Sequence, residues 1–144
     1  MNLRHATPVA AALLLAACVQ QPQVAIAPAG PNLNAGIAAA CAPTEPKLVP
    51  GATAQAEMRM DNDGGWCAVR VADMGAPFKF GLVKSRPAHG RVVIRPAGSQ
   101  TFLDYVPAAG YTGPDSFTVA LAARQAGQAD STVHVTVQVA QKGA

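Results

Sequence analysis

Leu103-Asp104-Tyr105-Val106-Pro107-Ala108-Ala109-Gly110-Tyr111-Thr112-Gly113-Pro114-Asp115-Ser116-Phe117 is the stretch whose reading decides the fold. Thr101–Val106 places Leu103 and Tyr105 on one face, the period-two signature of a half-buried strand. Pro107 has no backbone N–H to give to a ladder, so it ends that strand. Gly110 and Gly113 permit turn dihedrals that other residues resist. Asp115 carries a short carboxylate able to accept backbone N–H groups and pin the loop. Phe117, Val119 and Leu121 then alternate with Thr118 and Ala120, and Phe117 points inward from the strand end adjacent to Tyr105.

The same period extends in both directions from this stretch. Thr53–Met60 is a weak first strand, followed by the turn signal Asp61-Asn62-Asp63-Gly64-Gly65, read as a solvated hairpin turn. Trp66–Ala72 alternates Cys67, Val69 and Val71 against Ala68, Arg70 and Ala72. Phe78, Phe80 and Leu82 alternate with Lys79, Gly81 and Val83, and Val92 and Ile94 stand opposite Arg91, Val93 and Arg95. Val133, Val135, Val137 and Val139 are separated by His134, Thr136 and Gln138, the cleanest half-buried strand of the chain. Residues 122–130 have helical propensity, but Gly127 and the flanking alternating runs predict a long hairpin loop. The sum is an all-β domain over 51–140, seven short strands in an antiparallel sandwich.

These residues also carry a family resemblance. Pro87-Ala88-His89-Gly90-Arg91-Val92-Val93-Ile94 and the 103–117 stretch together resemble the bacterial immunoglobulin-like, cadherin-like repeats of large surface proteins. Those read roughly Pro-x-x-Gly-x-Val, then Tyr-x-Pro-x-x-Gly-aromatic-x-Gly-x-Asp-x-Phe. Tyr105, Pro107, Gly110, Tyr111, Gly113, Asp115 and Phe117 keep that spacing. The resemblance implies a seven-stranded antiparallel immunoglobulin-like β-sandwich, and it reports a fold rather than a reaction. Such repeats commonly end in an Asn-Asp-x-Pro junction that binds calcium between tandem domains. Here the last strand runs into Ala140-Gln141-Lys142-Gly143-Ala144, so no calcium is carried over, and adhesion is implied only weakly.

Composition divides the chain. It has 144 residues, 50% hydrophobic but only 5% aromatic, with 13% charged and a formal net charge of +3. Every aromatic residue lies at Trp66 or later, whereas residues 1–46 are alanine-rich and carry only Arg4 and Glu45 as charges. The foldable part is thus roughly Lys47 onward. About 95 residues bury only about 60–65% of their surface, which suits one small domain and excludes a large cofactor fold. No apolar run approaches the ~20 residues that a membrane-spanning helix needs.

The first residues read as an address. A short basic start with Arg4 and His5 precedes the apolar run Val9–Ala17, too short to span a bilayer but suited to an export signal at 1–17. Leu15-Ala16-Ala17-Cys18 resembles the lipobox of bacterial lipoproteins, in which a diacylated cysteine becomes the new N-terminus; an ordinary secretion signal cut after Ala27 is the alternative. By that resemblance Cys18 is the lipidation site and the partner is a membrane held through the lipid anchor. Val19 and Gln20 after it, with no Asp, favour the outer membrane. Residues 18–50 combine the lipidated Cys with a Pro- and Ala-rich stretch that cannot bury enough surface to order itself, a flexible, disordered N-terminal tether, with 141–144 as a tail. Losing Arg4 with the signal leaves a net charge of 10 − 8 = +2, too little to argue for nucleic acid, and export makes that partner implausible.

Chemistry-bearing residues are few. With Cys18 committed to lipid, Cys41 and Cys67 form an even remainder in an exported chain, which suggests one disulfide. Trp66 adjoins Cys67 and faces the other way, either as an exposed binding contact or packed under the returning tether. Asp61-Asn62-Asp63-Gly64 fails the EF-hand pattern, because position six is Trp66 and position twelve is Ala72. His89 and His134 make no metal-ligand pair. The carboxylates fall in turns or on alternating faces, no Gly-x-Ser-x-Gly elbow occurs, and no cofactor or metal is expected. One charge asymmetry remains, Lys79, Lys84, Arg86, Arg91 and Arg95 with no acid among them. Lys79, Arg91 and Arg95 are predicted to share the outward face of one hairpin, able to meet an anionic envelope polymer or simply to solvate and guard an edge. The expectation is a non-catalytic cell-envelope lipoprotein presenting one binding or structural module, or an assembly subunit docking to another envelope protein through a strand edge.

Overall fold

The computed structural model describes residues 36–71 and 77–143. The predicted signal peptide, Cys18 and the first part of the predicted tether lie outside the described residues. Eight strands form: β1 (Cys41–Pro43), β2 (Thr53–Asn62), β3 (Cys67–Val71), β4 (Gly81–Ser85), β5 (Gly90–Ala97), β6 (Gln100–Pro107), β7 (Gly113–Leu121) and β8 (Ser131–Gln141). They make a five-stranded sheet of order β1-β2-β8-β7-β4 and a three-stranded sheet of order β3-β6-β5. With β3, β6 and β5 as B-E-D and β8, β7 and β4 as G-F-C, this is the strand arrangement of an immunoglobulin-like sandwich.

Alternation decides which side chains meet between the sheets. Val133, Val135, Val137 and Val139 of β8 face Phe117, Val119 and Leu121 of β7, Met58 and Met60 of β2, and, across the gap, Val69, Val71, Leu103 and Tyr105. All of these are buried. Tyr105 and Phe117 both point inward, from opposite sheets, and stack with ring centroids 6.0 Å apart. Residues 122–130 are the predicted loop of the β7–β8 hairpin.

The pinned turn is built as its sequence reads. β6 stops at Pro107, and Gly110 and Gly113 take φ of 73° and 127°. Asp115 then ties the corner together: its carboxylate accepts the N–H groups of Ala88 and His89 (both 2.9 Å), its own neighbour Ser116 (2.8 Å) and the Tyr105 hydroxyl (2.9 Å). Tyr111 stacks on His89 at 4.1 Å and donates its hydroxyl to the Pro114 carbonyl. Gly90 lies against this corner. A Cβ there would sit 2.6 Å from the Val106 carbonyl and 2.7 Å from the Tyr105 ring, and neither backbone nor a fully packed ring can yield cheaply. Gly90→Ala is therefore expected to lower stability by about 1–3 kcal/mol, read as an earlier urea midpoint with an unchanged slope.

Four features differ from the sequence reading. Among the described residues there are eight strands rather than seven, because Cys41–Pro43 pairs with β2 inside the stretch read as tether. The sandwich is not wholly antiparallel: β2 runs parallel to β8 from Thr53↔Thr132 to Asn62↔Gln141. These two strands are joined by the rest of the domain rather than by a hairpin, so nothing forces them to oppose. The 61–65 turn is not a hairpin either, since β2 and β3 belong to different sheets and the loop crosses between them. Finally, Phe78 and Phe80 do not share a strand face. Phe78 is buried, with its N–H given to Thr101 Oγ1 (2.9 Å), whereas Phe80 is 58% exposed. β4 starts only at Gly81, where a Cβ would stand 2.7 Å from Ile94 Cδ1, so the inward set from there on is Gly81 and Val83.

Candidate binding face on the three-stranded sheet

The predicted basic hairpin is not assembled. Lys79 precedes β4 and is exposed, β4 pairs with β7, and β5 pairs with β6. Lys79 therefore lies outside the strands, beside the five-stranded sheet's β4, whereas Arg91 and Arg95 lie on β5 of the other sheet. What the structure brings together instead is Arg95 and Trp66, two of the residues singled out in the sequence, with two that sequence reasoning missed, Phe102 and Asp104.

Register explains the grouping. A two-residue loop, Gly98-Ser99, joins β5 to β6, so Arg95 stands opposite Phe102 and Val93 opposite Asp104. On the other side β3 places Ala68 opposite Asp104. All of these side chains point away from the core, because Leu103 and Tyr105 point into it. Arg95 reaches diagonally along the strands, as next-but-one neighbours on a pleated face can, and grips Asp104 with two hydrogen bonds, Nε to Oδ2 at 2.5 Å and Nη2 to Oδ1 at 3.1 Å. Its guanidinium also lies over both rings, 5.1 Å from the Trp66 centroid and 4.8 Å from that of Phe102.

The result is a planar cation held from three directions. Asp104 is 0% exposed although it lies on the outer face of a sheet, because Ala68, Val93 and the Arg95 side chain cover it. Burial pushes its carboxyl pKa above the ordinary value, and the hydrogen bond and charge of Arg95 only partly offset that rise. Arg95 keeps N–H groups that Asp104 does not use, and Trp66, Phe102, Val93 and Val106 are half-buried around it. The Trp66 Nε1–H is buried without a hydrogen-bond partner among the described residues.

Trp66 is also where the N-terminal chain returns. Ala38 donates its N–H to the Trp66 carbonyl (2.8 Å), and the Trp66 N–H goes to Gly36 (3.0 Å). The predicted disulfide is present, Cys41 to Cys67 with Cα atoms 5.4 Å apart. Further along the same edge strand, β3, Arg70 pairs with Glu45.

The remaining candidates have structural employment. In the Asp61–Gly64 turn, Asp63 accepts the N–H of Ala39 (2.8 Å) and Gly65 (2.9 Å), while Asn62 donates to the carbonyls of Ala108 and Tyr111. His134 Nδ1 meets Thr118 Oγ1 at 2.9 Å. Among the described residues no group of His, Cys, Asp and Glu could hold a metal. A cleft of about 590 Å³ between residues 45–50 and 123–131 is lined by Pro46, Leu48, Phe78 and Arg124, with the Arg124 guanidinium 4.9 Å from the Phe78 ring.

A small immunoglobulin-like sandwich with an aromatic–arginine patch on one sheet, and no catalytic constellation among its described residues, is the class these features define. The chain belongs to the bacterial Ig domain family, whose profile matches residues 48–136. Domains of that family are typically non-enzymatic binding or structural modules and are usually displayed outside the cell. No curated protein and no solved structure matches the chain.

Proposed function

We propose that the protein is an exported lipoprotein, anchored in the outer membrane through Cys18, whose single Ig-like domain at 51–140 is a non-catalytic module that binds another envelope protein through the outer face of β3-β6-β5. The Trp66–Arg95–Phe102 stack over Asp104 carries this reading. Trp and Arg are the residues over-represented among those that dominate protein interfaces, and here both are held in place before any partner arrives, which lowers the ordering cost of binding. Asp104 neutralises Arg95, so the patch favours a protein surface over an anionic polymer.

A photo-crosslinking residue at Val93 or Val106 in intact envelopes should trap one dominant protein, whereas one at Gln138 on the opposite sheet should not. Equal adducts at all three positions would sink the proposal, and retention that falls away with salt would point to a polymer instead. The anchor has its own test: Cys18→Ser should move the protein from the membrane to the soluble fraction, and mass spectrometry of the mature N-terminus should show acylation at Cys18. An unmodified Cys18 in the wild-type chain would end the lipoprotein reading.

A second reading, an assembly subunit docked through a strand edge, is favoured by β5. It is eight residues long and ends its sheet, so one side of its backbone is available for strand addition. Partner-dependent slowing of hydrogen exchange along β5, with no crosslink from Val93 or Val106, would report it.

A further inference from the structure

The segment Gly36–Glu45 crosses from one sheet to the other, and most of its ties are slight. Its backbone bonds to Trp66 at one end, and the Ala39 N–H goes to Asp63 Oδ2. Ala40 accepts the Asp61 N–H (3.0 Å), three residues of β1 lie along β2, and Thr44 donates to Glu57 (2.8 Å) before Glu45 reaches Arg70. One apolar side chain of the segment besides the cystine is buried, that of Ala38, 4% exposed. A three-residue edge strand with one buried methyl group belongs to the low-stability end of a structure. The strong tie is covalent. Cys67 is 0% exposed in β3, whereas Cys41 is only half-buried.

We propose that Gly36–Glu45 is a latch held shut by the Cys41–Cys67 bond, and that a dithiol reductant opens it while β2–β8 stay folded. A thiolate of the reductant attacks Sγ of Cys41, because Cys67 is covered. A mixed disulfide forms, and the Cys67 sulfur leaves as a thiolate that takes up a proton. The second thiolate of the reductant then closes its own disulfide and releases Cys41, which is protonated in turn. Two electrons and two protons pass from the dithiol to the cystine. Opening frees the β2 edge at Met58–Met60 and the backbone of Trp66. It also adds ten residues, up to about 33–36 Å of extended chain, to the connection before Gly36. The bond thus sets how far the Trp66–Arg95–Phe102 face can stand from whatever holds the N-terminus. The latch itself does not depend on a lipid at Cys18.

The test uses the full-length chain carrying Cys18→Ser, treated with dithiothreitol under native conditions. A pulse of N-ethylmaleimide followed by peptide mass spectrometry should label Cys41 at once and Cys67 at least about 100-fold more slowly. Hydrogen exchange at residues 38–43 should speed up about 100-fold, the scale of losing a cross-link of this span, while β7 and β8 stay protected. Cys41→Ala should open the segment without reductant. Equal labelling of both thiols would overturn the proposal, because the whole domain would then have unfolded. Unchanged exchange at 38–43 in the reduced chain and in Cys41→Ala would overturn it, and so would a bond that resists the dithiol altogether.

Discussion

Asp115→Ala is expected to lower the stability of the domain by about 2–4 kcal/mol, which for a domain of roughly 100 residues is about 10–20 °C in Tm. The loss comes from what the carboxylate leaves behind. Its four donors converge from β6, from the segment before β5 and from β7 itself. The Tyr105 hydroxyl matters most, because Tyr105 is 0% exposed and an orphaned buried donor costs its full desolvation. The N–H groups of Ala88 and His89 lie nearer water, and the carboxylate is itself partly exposed, so its charge adds little beyond the hydrogen bonds. Asp115→Asn keeps the shape and one acceptor oxygen and should lose less than half as much. Urea denaturation of the two variants and of Tyr105→Phe measures the knot, and an unchanged midpoint for Asp115→Ala would remove it from the account of the fold.

Acid titration separates Asp115 from Asp104 by sign. Burial alone would raise the Asp115 pKa, but the N–H groups of His89 and Ala88, the Tyr105 hydroxyl and the Ser116 N–H outweigh it and hold the group below its ordinary 3.8. A depressed folded-state value means stability that is complete above the unfolded value and lost as pH falls through the folded one. That loss therefore lies below about pH 4. Asp104 is shifted the other way, so its protonation on acidification favours the folded state. Wild-type stability should hold as pH falls toward 4 and drop below it, and Asp115→Asn should flatten that lower limb.

Much of this corner was legible in the chain because most of its turn residues act locally. Pro107, Gly110 and Gly113 do their work within a dozen residues, as do the bonds of Asp115 to Tyr105 and Ser116, and alternation alone places Tyr105 and Phe117 inside; the bonds of Asp115 to Ala88 and His89, 27 and 26 positions away, had no local signal. The disulfide was legible because two of the three cysteines remain once Cys18 is set aside for the lipid. β1 was not, because three residues in a Pro- and Ala-rich stretch have no period to read, and only the disulfide and the β2 edge give them a strand. The parallel β2–β8 pair was invisible for a related reason, since its partners are about 80 positions apart. The proposed binding face was half legible. Trp66 and Arg95 stood out as residue types, but assigning Arg95 to a hairpin with Lys79 misplaced it. The signal that corrects this is the Gly98-Ser99 loop: a two-residue hairpin there puts Arg95 opposite Phe102 and leaves Asp104 on their face. Phe80 misled because alternation was extended through a segment that has no ladder before Gly81.

Arg95→Ala is expected to be the most damaging single change on the outer face, costing about 3–5 kcal/mol, because it strands a buried carboxylate. Asp104 would remain between Ala68 and Val93 with neither countercharge nor donor. Its pKa would rise further, so the defect should shrink as pH falls and the group neutralises, the opposite of the Asp115 behaviour. The paired replacement Arg95→Met with Asp104→Leu removes both charges and fills the same space. Pairs of this kind are often near-neutral when exchanged for apolar side chains, with about 1–2 kcal/mol of cation–π contact to Trp66 and Phe102 lost. The pair is thus a weak reason for stability and a strong one for specificity. Such a protein should fold, keep its Cys41–Cys67 bond, and lose capture of the proposed envelope partner at Val93 and Val106. If it folds and the crosslink persists at full yield, Arg95 serves only to shield Asp104, and the β5 edge becomes the surface to pursue.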